Sequence, residues 1–295
     1  MPDIIKRYLI NGKVSVAAAI TTALVSEAQK IHNTSHVATA ALGRTMTASA
    51  IMASSFKENE HNMSVTINGN GPIGQITVVV NGREEIKGCV SDPNVFVPLN
   101  SRGKLDVGSA VGKDGFITVV KDIGMKDYYV GNTELISGEI AEDFANYLLK
   151  SEQTPSIVYL GVLVNPDGSV LNAGGMFVTP MQDADDALLA EVEKCAPLIN
   201  EFTSLIATMS IDEIVKLIFV GLDVEAMPGS EKVPVYHCDC SEERFERGII
   251  SLGKKEIMDI IKEDGQAEIV CKFCNKKYLF DKNKLEKLLF EAADR

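Results

Sequence analysis

The sequence predicts an α+β protein: an N-terminal, mostly antiparallel sheet with packed helices, a helical linker, and a small C-terminal α/β subdomain. Three observations predict it. Short β-branched runs separated by Gly, Asn and Pro turns recur over residues 1–178. Residues 179–230 then read as helix, acidic and striped with apolar residues. Finally, residues 231–295 carry four cysteines in two close pairs, Cys238 with Cys240 and Cys271 with Cys274. The expected domains are therefore 1–178, 179–230 and 231–295.

Each element has its own signal. Ile4 to Ile20 reads as two strands around the turn Asn11-Gly12, a hairpin signature. Thr21–Ile31 has helical composition. A second helix is expected over His36–Phe56, rich in Ala, Leu and Met, with small residues that let it pack closely against a sheet. Three strand-like runs follow over 62–90 (MSVTIN, QITVVVN and EEIKGCV). Between the first two lies Gly69-Asn70-Gly71-Pro72-Ile73-Gly74, which matches G-x-G-x-x-G. A phosphate loop of that type must open a helix, whereas a β-branched run follows here, so a hairpin turn is expected instead. Strands resume near Phe116–Lys121 and Tyr128–Gly131. The segment Ser137–Lys150 reads as an amphipathic helix, with Ile140, Phe144, Tyr147 and Leu148 on one face. SIVYLGVLVN and SVLNAGGMFV form the last strands of this part, joined by Pro166-Asp167-Gly168.

Residues 179–230 carry ten acidic residues against two basic ones, a balance of −8. Helix is interrupted at Pro197. Ser210-Ile211-Asp212-Glu213 is a capping box before IVKLIFV, and Gly221 is a plausible stop. Helices this short are marginal in water, so they need a surface to lie on. The C-terminal part predicts helices over Glu242–Leu252 and Lys254–Glu263, a hairpin over Glu268–Phe280, and a last helix with Leu285, Leu288 and Leu289.

Bulk properties narrow the function. A chain of 295 residues with 45% hydrophobic and 24% charged residues is ordinary for a globular protein. Its net charge of −12 disfavours a polyanionic partner such as nucleic acid. The N-terminal MPDIIKRYLINGKVS lacks a signal-peptide apolar run, and no stretch reads as a membrane span, so a cytoplasmic location without a membrane partner is expected. Thiols stay reduced there, which favours clustered cysteines as ligands or sensors over structural disulfides. The motifs G-x-S-x-G, G-x-x-x-x-G-K-[ST] and H-E-x-x-H are absent, and four histidines form no recognisable site, so the chain does not read as an enzyme and has no expected catalytic residue.

The cysteine pairs are the one strong constellation. Cys238, Cys240, Cys271 and Cys274 offer four soft sulfurs, the set that tetrahedral zinc takes at about 2.3 Å. One zinc ion is the expected cofactor, making this a zinc-binding subdomain. His237 could replace one sulfur, but four thiols make that unnecessary. Cys89 and Cys195 read as packed apolar residues. His32 and His36 lack a third ligand, and Asp183–Asp186 reads as a solvated helix N-terminus.

With these residues in hand, the sequence resembles the redox-regulated 33-kilodalton heat-shock protein family of bacterial holdase chaperones. The resemblance rests on ALGRTMTA at 41–48, GNGPIG at 69–74, GKLDVG at 103–108, SGEIAEDFANYLLKSEQTPS at 137–156, GVLVNPDGSVLNAGG at 161–175 and the C-x-C…C-x-x-C signature. It implies zinc held by Cys238, Cys240, Cys271 and Cys274 in a reduced, inactive protein. It also implies oxidative disulfides Cys238–Cys240 and Cys271–Cys274, zinc release, unfolding of switch and linker, and dimerisation. ATP-independent binding of unfolding client proteins would follow. The spacing says what such disulfides would do. Each closes a loop of a few residues and no longer ties the two halves of the subdomain together, so oxidation should unfold it rather than lock it. Two other readings compete. A zinc-ribbon nucleic-acid or ribosome-binding module would use the lysines of CKFCNKK, but the acidic chain lacks a basic face. An oxidoreductase turning over Cys271 and Cys274 would want a thioredoxin-like βαβ context.

Overall fold

Polar turns and alternating burial dictate most of the architecture. The computed structural model describes residues 2–292. Strands β1 (Ile4–Ile10) and β2 (Val14–Ile20) pair antiparallel, from Ile4↔Ile20 to Ile10↔Val14. Asn11 and Gly12 both take left-handed backbone (φ 48° and 66°), which these two residue types tolerate best. Helix α1 (Thr22–His32) follows, with Asp3 accepting from the N–H groups of Ala23 (2.9 Å) and Leu24 (2.7 Å) at its start.

Helix α2 (His36–Ala53) is buried nearly all round, as its Ala-rich composition requires. Thr45, Thr47 and Ser49 donate to the carbonyls four residues back, so their hydroxyls are satisfied inside the core. Its one charged side chain, Arg44, pairs with Glu139 at 2.8 Å. The helix stops at Ala53, three residues short of the sequence expectation, in the bonded turn Ser54–Phe56.

Strands β3 (Asn62–Asn68), β4 (Ile76–Asn81) and β5 (Glu85–Val90) run antiparallel in succession. The GNGPIG stretch is thus the turn between β3 and β4. Its glycines have a packing reason: a Cβ on Gly69 would sit 2.2 Å from the Gly112 carbonyl oxygen. Gly112 is the C-cap of the short helix α3 (Val107–Val111), where its N–H donates to the Gly108 carbonyl (2.8 Å). Strands β6 (Phe116–Asp122) and β7 (Tyr129–Glu134) extend the sheet, and helix α4 (Ala141–Lys150) follows. The helix begins at Ala141 rather than Ser137. Ile140 has φ 69°, and the Asp143 carboxylate gathers the N–H groups of Ile136, Ser137 and Ile140 into a turn. Strands β8 (Ile157–Val164) and β9 (Val170–Pro180) then pair antiparallel.

The acidic stretch breaks into α5 (Asp186–Lys194), α6 (Ala196–Ile199), α7 (Phe202–Leu205) and α8 (Ile211–Ile218). Ser210 and Glu213 form the expected capping box on α8, at 2.8 and 3.4 Å. Two short strands end this part, β10 (Val224–Ala226) and β11 (Val235–Tyr236). They had no sequence signal.

Two sheets result, in the orders β10-β1-β2-β9-β8 and β11-β5-β4-β3-β6-β7. Every pairing is antiparallel except β11 on β5. One face of the first sheet joins α2 and the second sheet in a single core. Its other face presents Tyr8, Ile10, Val16 and Val178 to Leu188, Val192, Phe202, Ile214 and Ile218 of the acidic helices, the surface those helices need. Lys6 fastens α8 to β1 by pairing with Asp212 (2.8 Å), and Tyr8 donates to the same carboxylate.

The chain divides into two compact units, Met1–His237 and Cys238–Arg295. Residues 179–230 and 231–237 thus lie in the first. Between β10 and β11, Lys232 exchanges backbone hydrogen bonds with Ile5 (2.8 and 3.0 Å), and Val235 donates to the Glu84 carbonyl (2.9 Å). The Glu84 side chain is 1% exposed, and neither carboxyl oxygen has a hydrogen-bond partner. Burial pushes its pKa up to about 8 against the pull of Lys232 and Arg7. In the second unit, α9 (Glu242–Leu252), α10 (Lys254–Glu263), the hairpin β12 (Gln266–Val270) and β13 (Lys277–Asp281), and α11 (Lys282–Glu291) enclose a core of Ile249, Ile257, Tyr278, Phe280, Leu285 and Leu288.

A candidate metal centre of four cysteines

The second unit is small, and its cysteines sit where its first residues meet the turn between β12 and β13. Cys238 and Cys240 lie on the extended segment before α9, whose first turn Ser241 caps through Arg244 N–H (3.3 Å). Cys271 and Cys274 occupy the turn between β12 and β13. There Cys271 N–H donates to the Lys276 carbonyl (2.9 Å), and Asn275 N–H returns to the Cys271 carbonyl (2.9 Å). Asn275 takes φ 57°, which tightens the loop so that both sulfurs point the same way.

All four Sγ atoms lie within 4.8 Å of one another. The closest approaches run between the pairs: Cys238 to Cys271 at 3.7 Å and Cys240 to Cys274 at 3.4 Å. Sulfurs at the corners of a tetrahedron around an ion 2.3 Å away would stand about 3.8 Å apart. The donor set and its dimensions therefore fit one tetrahedral thiophilic ion. Cys271 is buried and the other three are half-buried.

Tyr278 completes the site, and sequence reasoning missed it. It pairs with Ile269 in the β12–β13 ladder and is 6% exposed. Its hydroxyl lies 3.1 Å from Cys240 Sγ and 3.0 Å from the Cys240 carbonyl oxygen. The Phe245 ring packs against it at 4.8 Å between centroids, and Lys276 Nζ lies 5.0 Å from its ring centre. The only sequence signal was its place two residues into the strand after the C-x-x-C turn.

Electrostatics separates the thiols. Burial raises the pKa of Cys238 and of Cys274. Burial also acts to raise Cys240, but hydrogen bonds from Tyr278 and the other thiols outweigh it and bring Cys240 down to about 7. The surroundings of Cys240 thus favour its thiolate, whereas those of Cys238 and Cys274 oppose theirs.

The remaining candidates do not assemble. His237 donates its N–H to the Ile86 carbonyl (2.9 Å) as part of the first unit. His32 meets the Tyr236 hydroxyl (3.3 Å), while His36 meets the Pro166 carbonyl (3.2 Å), so the two face different partners. Asp185 caps α5 through Leu188 N–H (3.0 Å) and pairs with Lys13 (3.1 Å). Cys195 packs against the core under the acidic helices, and burial raises its pKa. Cys89 is half-buried on β5. Among the described residues, the four cysteines are the only such group with metal-ligand geometry. No helix among those residues is long and apolar enough to cross a membrane.

Known proteins resemble this chain along nearly its whole length. The profile of a family described as Hsp33 protein matches residues 3–281. A 33 kDa chaperonin of Bacillus velezensis is 46% identical over 99% of this chain and 100% of its own length. A 33 kDa chaperonin of Bacillus subtilis is 45% identical over 98% of each chain. The crystal structure of the 33 kDa chaperonin from Thermotoga maritima superposes with a TM-score of 0.88, at 34% identity and 99% coverage of both chains. These relatives carry the name of a chaperone rather than of an enzyme, and the chain belongs to the Hsp33 family of chaperones.

Proposed function

We propose that this chain is a redox-switched, ATP-independent holdase. Reduced, it holds one zinc ion on Cys238, Cys240, Cys271 and Cys274 and is inactive. Oxidation joins Cys238 to Cys240 and Cys271 to Cys274, the zinc leaves, and the second unit and the acidic helices lose their order. The apolar stripes of α5–α8, now packed on the first sheet, become available to unfolding client proteins, and the activated protein dimerises in the cytoplasm. In domain terms, residues 1–178 are the core, 179–230 the linker, and 231–295 the zinc-binding redox switch.

One observation carries this reading: two cysteine pairs more than thirty residues apart converge within 4.8 Å at the mouth of a small core. A bound ion supplies Lewis acidity that keeps all four sulfurs as thiolates at neutral pH. The protein's own contribution is to hold two pairs on opposite sides of one point. Apparent zinc contributions of about 10–16 kcal/mol exceed what so small a core supplies. The test is peroxide treatment in the presence of a zinc-release dye, followed by an aggregation assay on a heat-labile client. Zinc release together with suppressed aggregation is expected. Zinc release without suppression would sink the proposal, and salt-dependent RNA binding would favour a zinc-ribbon module instead.

A further inference from the structure

We propose that Tyr278 sets how fast the centre is oxidised, by hydrogen bonding Cys240. The inference rests on the zinc-switch reading and adds to it a residue outside the ligand set.

The geometry is specific. The hydroxyl carries one proton and faces two acceptors of the same residue, Cys240 Sγ at 3.1 Å and the Cys240 carbonyl at 3.0 Å. When Cys240 is a thiolate, the charged sulfur is the stronger acceptor and takes the proton. Charge drawn toward that hydrogen bond is charge withdrawn from attack on an oxidant. When Cys240 is in a disulfide, its sulfur is a poor acceptor and the hydroxyl turns to the carbonyl. Nothing else need move, because the ring is fixed between Phe245 and the strand ladder. The bond is thus present in the reduced form and absent in the oxidised one. It slows oxidation without having to be broken by unfolding. None of the other three sulfurs has a protein hydroxyl so placed among the described residues.

The step being slowed is explicit. Cys240 thiolate attacks one oxygen of hydrogen peroxide; an S–O bond forms, the O–O bond breaks, and hydroxide leaves. Cys238 thiolate then attacks the Cys240 sulfur; the S–S bond forms and a second hydroxide leaves. Two thiolates give up two electrons, and one peroxide with two protons becomes two waters. Cys238, without a hydroxyl partner, is the resolving sulfur.

The experiment uses the full-length protein with tyrosine at 278 replaced by phenylalanine (Tyr278→Phe) and, separately, by 3-fluorotyrosine, whose hydroxyl is a stronger donor. Three readouts are taken: zinc retention against a chelator without oxidant, peroxide-driven modification of Cys240 by peptide mass mapping, and the sulfur-to-cobalt charge-transfer band of the Co(II)-loaded protein. Tyr278→Phe should lower metal affinity by roughly 10-fold, the usual scale for losing an outer hydrogen bond to a ligand. It should also oxidise Cys240 several-fold faster and move the cobalt band to lower energy. The fluorotyrosine variant should move rate and band in the opposite sense, which a purely space-filling role would not. If both variants bind metal with an unchanged band and oxidise Cys240 at the wild-type rate, the role of Tyr278 is overturned. If wild-type protein binds neither zinc nor cobalt, the zinc switch itself fails, and this inference with it. Should the phenylalanine variant not fold, the fluorotyrosine result alone decides, since it keeps every contact.

Discussion

Which sulfurs join on oxidation decides whether the second unit opens or locks. The closest sulfurs run across the two pairs, Cys238 to Cys271 and Cys240 to Cys274, at 3.7 and 3.4 Å. Those partners are 33 and 34 residues apart. On the chain-entropy estimate, one such crosslink would restrain the unfolded chain by about 3.7 kcal/mol and would tie the two cysteine pairs together, as a bound ion would. Disulfides within the pairs close loops of only two or three residues' separation, are worth about 1–2 kcal/mol each, and connect nothing across the unit. Losing a zinc contribution of about 10–16 kcal/mol then leaves a core of a few apolar side chains unsupported. The perturbation is stoichiometric peroxide on reduced, zinc-loaded protein. Non-reduced peptide mapping reads the pairing, while amide exchange over 238–292 and far-UV circular dichroism read the order. Pairing within Cys238–Cys240 and Cys271–Cys274 with collapse of protection is expected. Cross-pairing with protection retained would refute the reasoning, because the oxidised unit would then be more tightly closed than the metal-free reduced one.

Three further outcomes follow from particular residues. Glu84 has its pKa raised from 4.5 to about 8 by burial, so the folded state holds a proton that the unfolded state has released; stability should fall as pH rises from about 4.5 to 8. Urea denaturation at pH 5, 7 and 9 should show that slope in wild type and lose it in Glu84→Gln. Phe280→Ala removes a fully buried ring from the small core and should cost about 3–5 kcal/mol, seen as lost amide protection over 238–292 in reduced protein, with client binding no longer requiring oxidant. Ser210→Ala breaks the capping box on α8 and should lower stability by about 1 kcal/mol in thermal or urea unfolding, with faster exchange in that helix.

Local chemistry made much of this legible from sequence. Asn11-Gly12 announced the first hairpin, Ser210 and Glu213 the start of α8, and the runs at 242–252 and 254–263 gave helices with those same ends. The misread features depend on partners distant in sequence. Strands β10 and β11 have three and two residues, too few to show a period of two, and they exist because β1 and β5 offer them hydrogen bonds. Residues 137–140 look helical, but Asp143 pulls their amides into a turn. The clustering of the four cysteines could be read from spacing, whereas the place of Tyr278 beside them could not. Its phenol reaches Cys240 only because the β12–β13 register turns that side chain inward, and 38 residues separate the two.

The segment from β10 to β11 has a consequence beyond holding two sheets in place. It occupies the outermost position of both, β10 against β1 and β11 against β5. Should it peel away when the unit that follows it loses order, both sheets would be left with bare rims of unsatisfied backbone N–H and C=O groups. Such rims pair with any extended chain regardless of its side chains. A protein that must hold many unrelated unfolding sequences would gain from that indifference. The same rims, left empty, would be a hazard to the protein itself, so a switch of the proposed kind would need prompt reclosure on reduction as much as prompt opening.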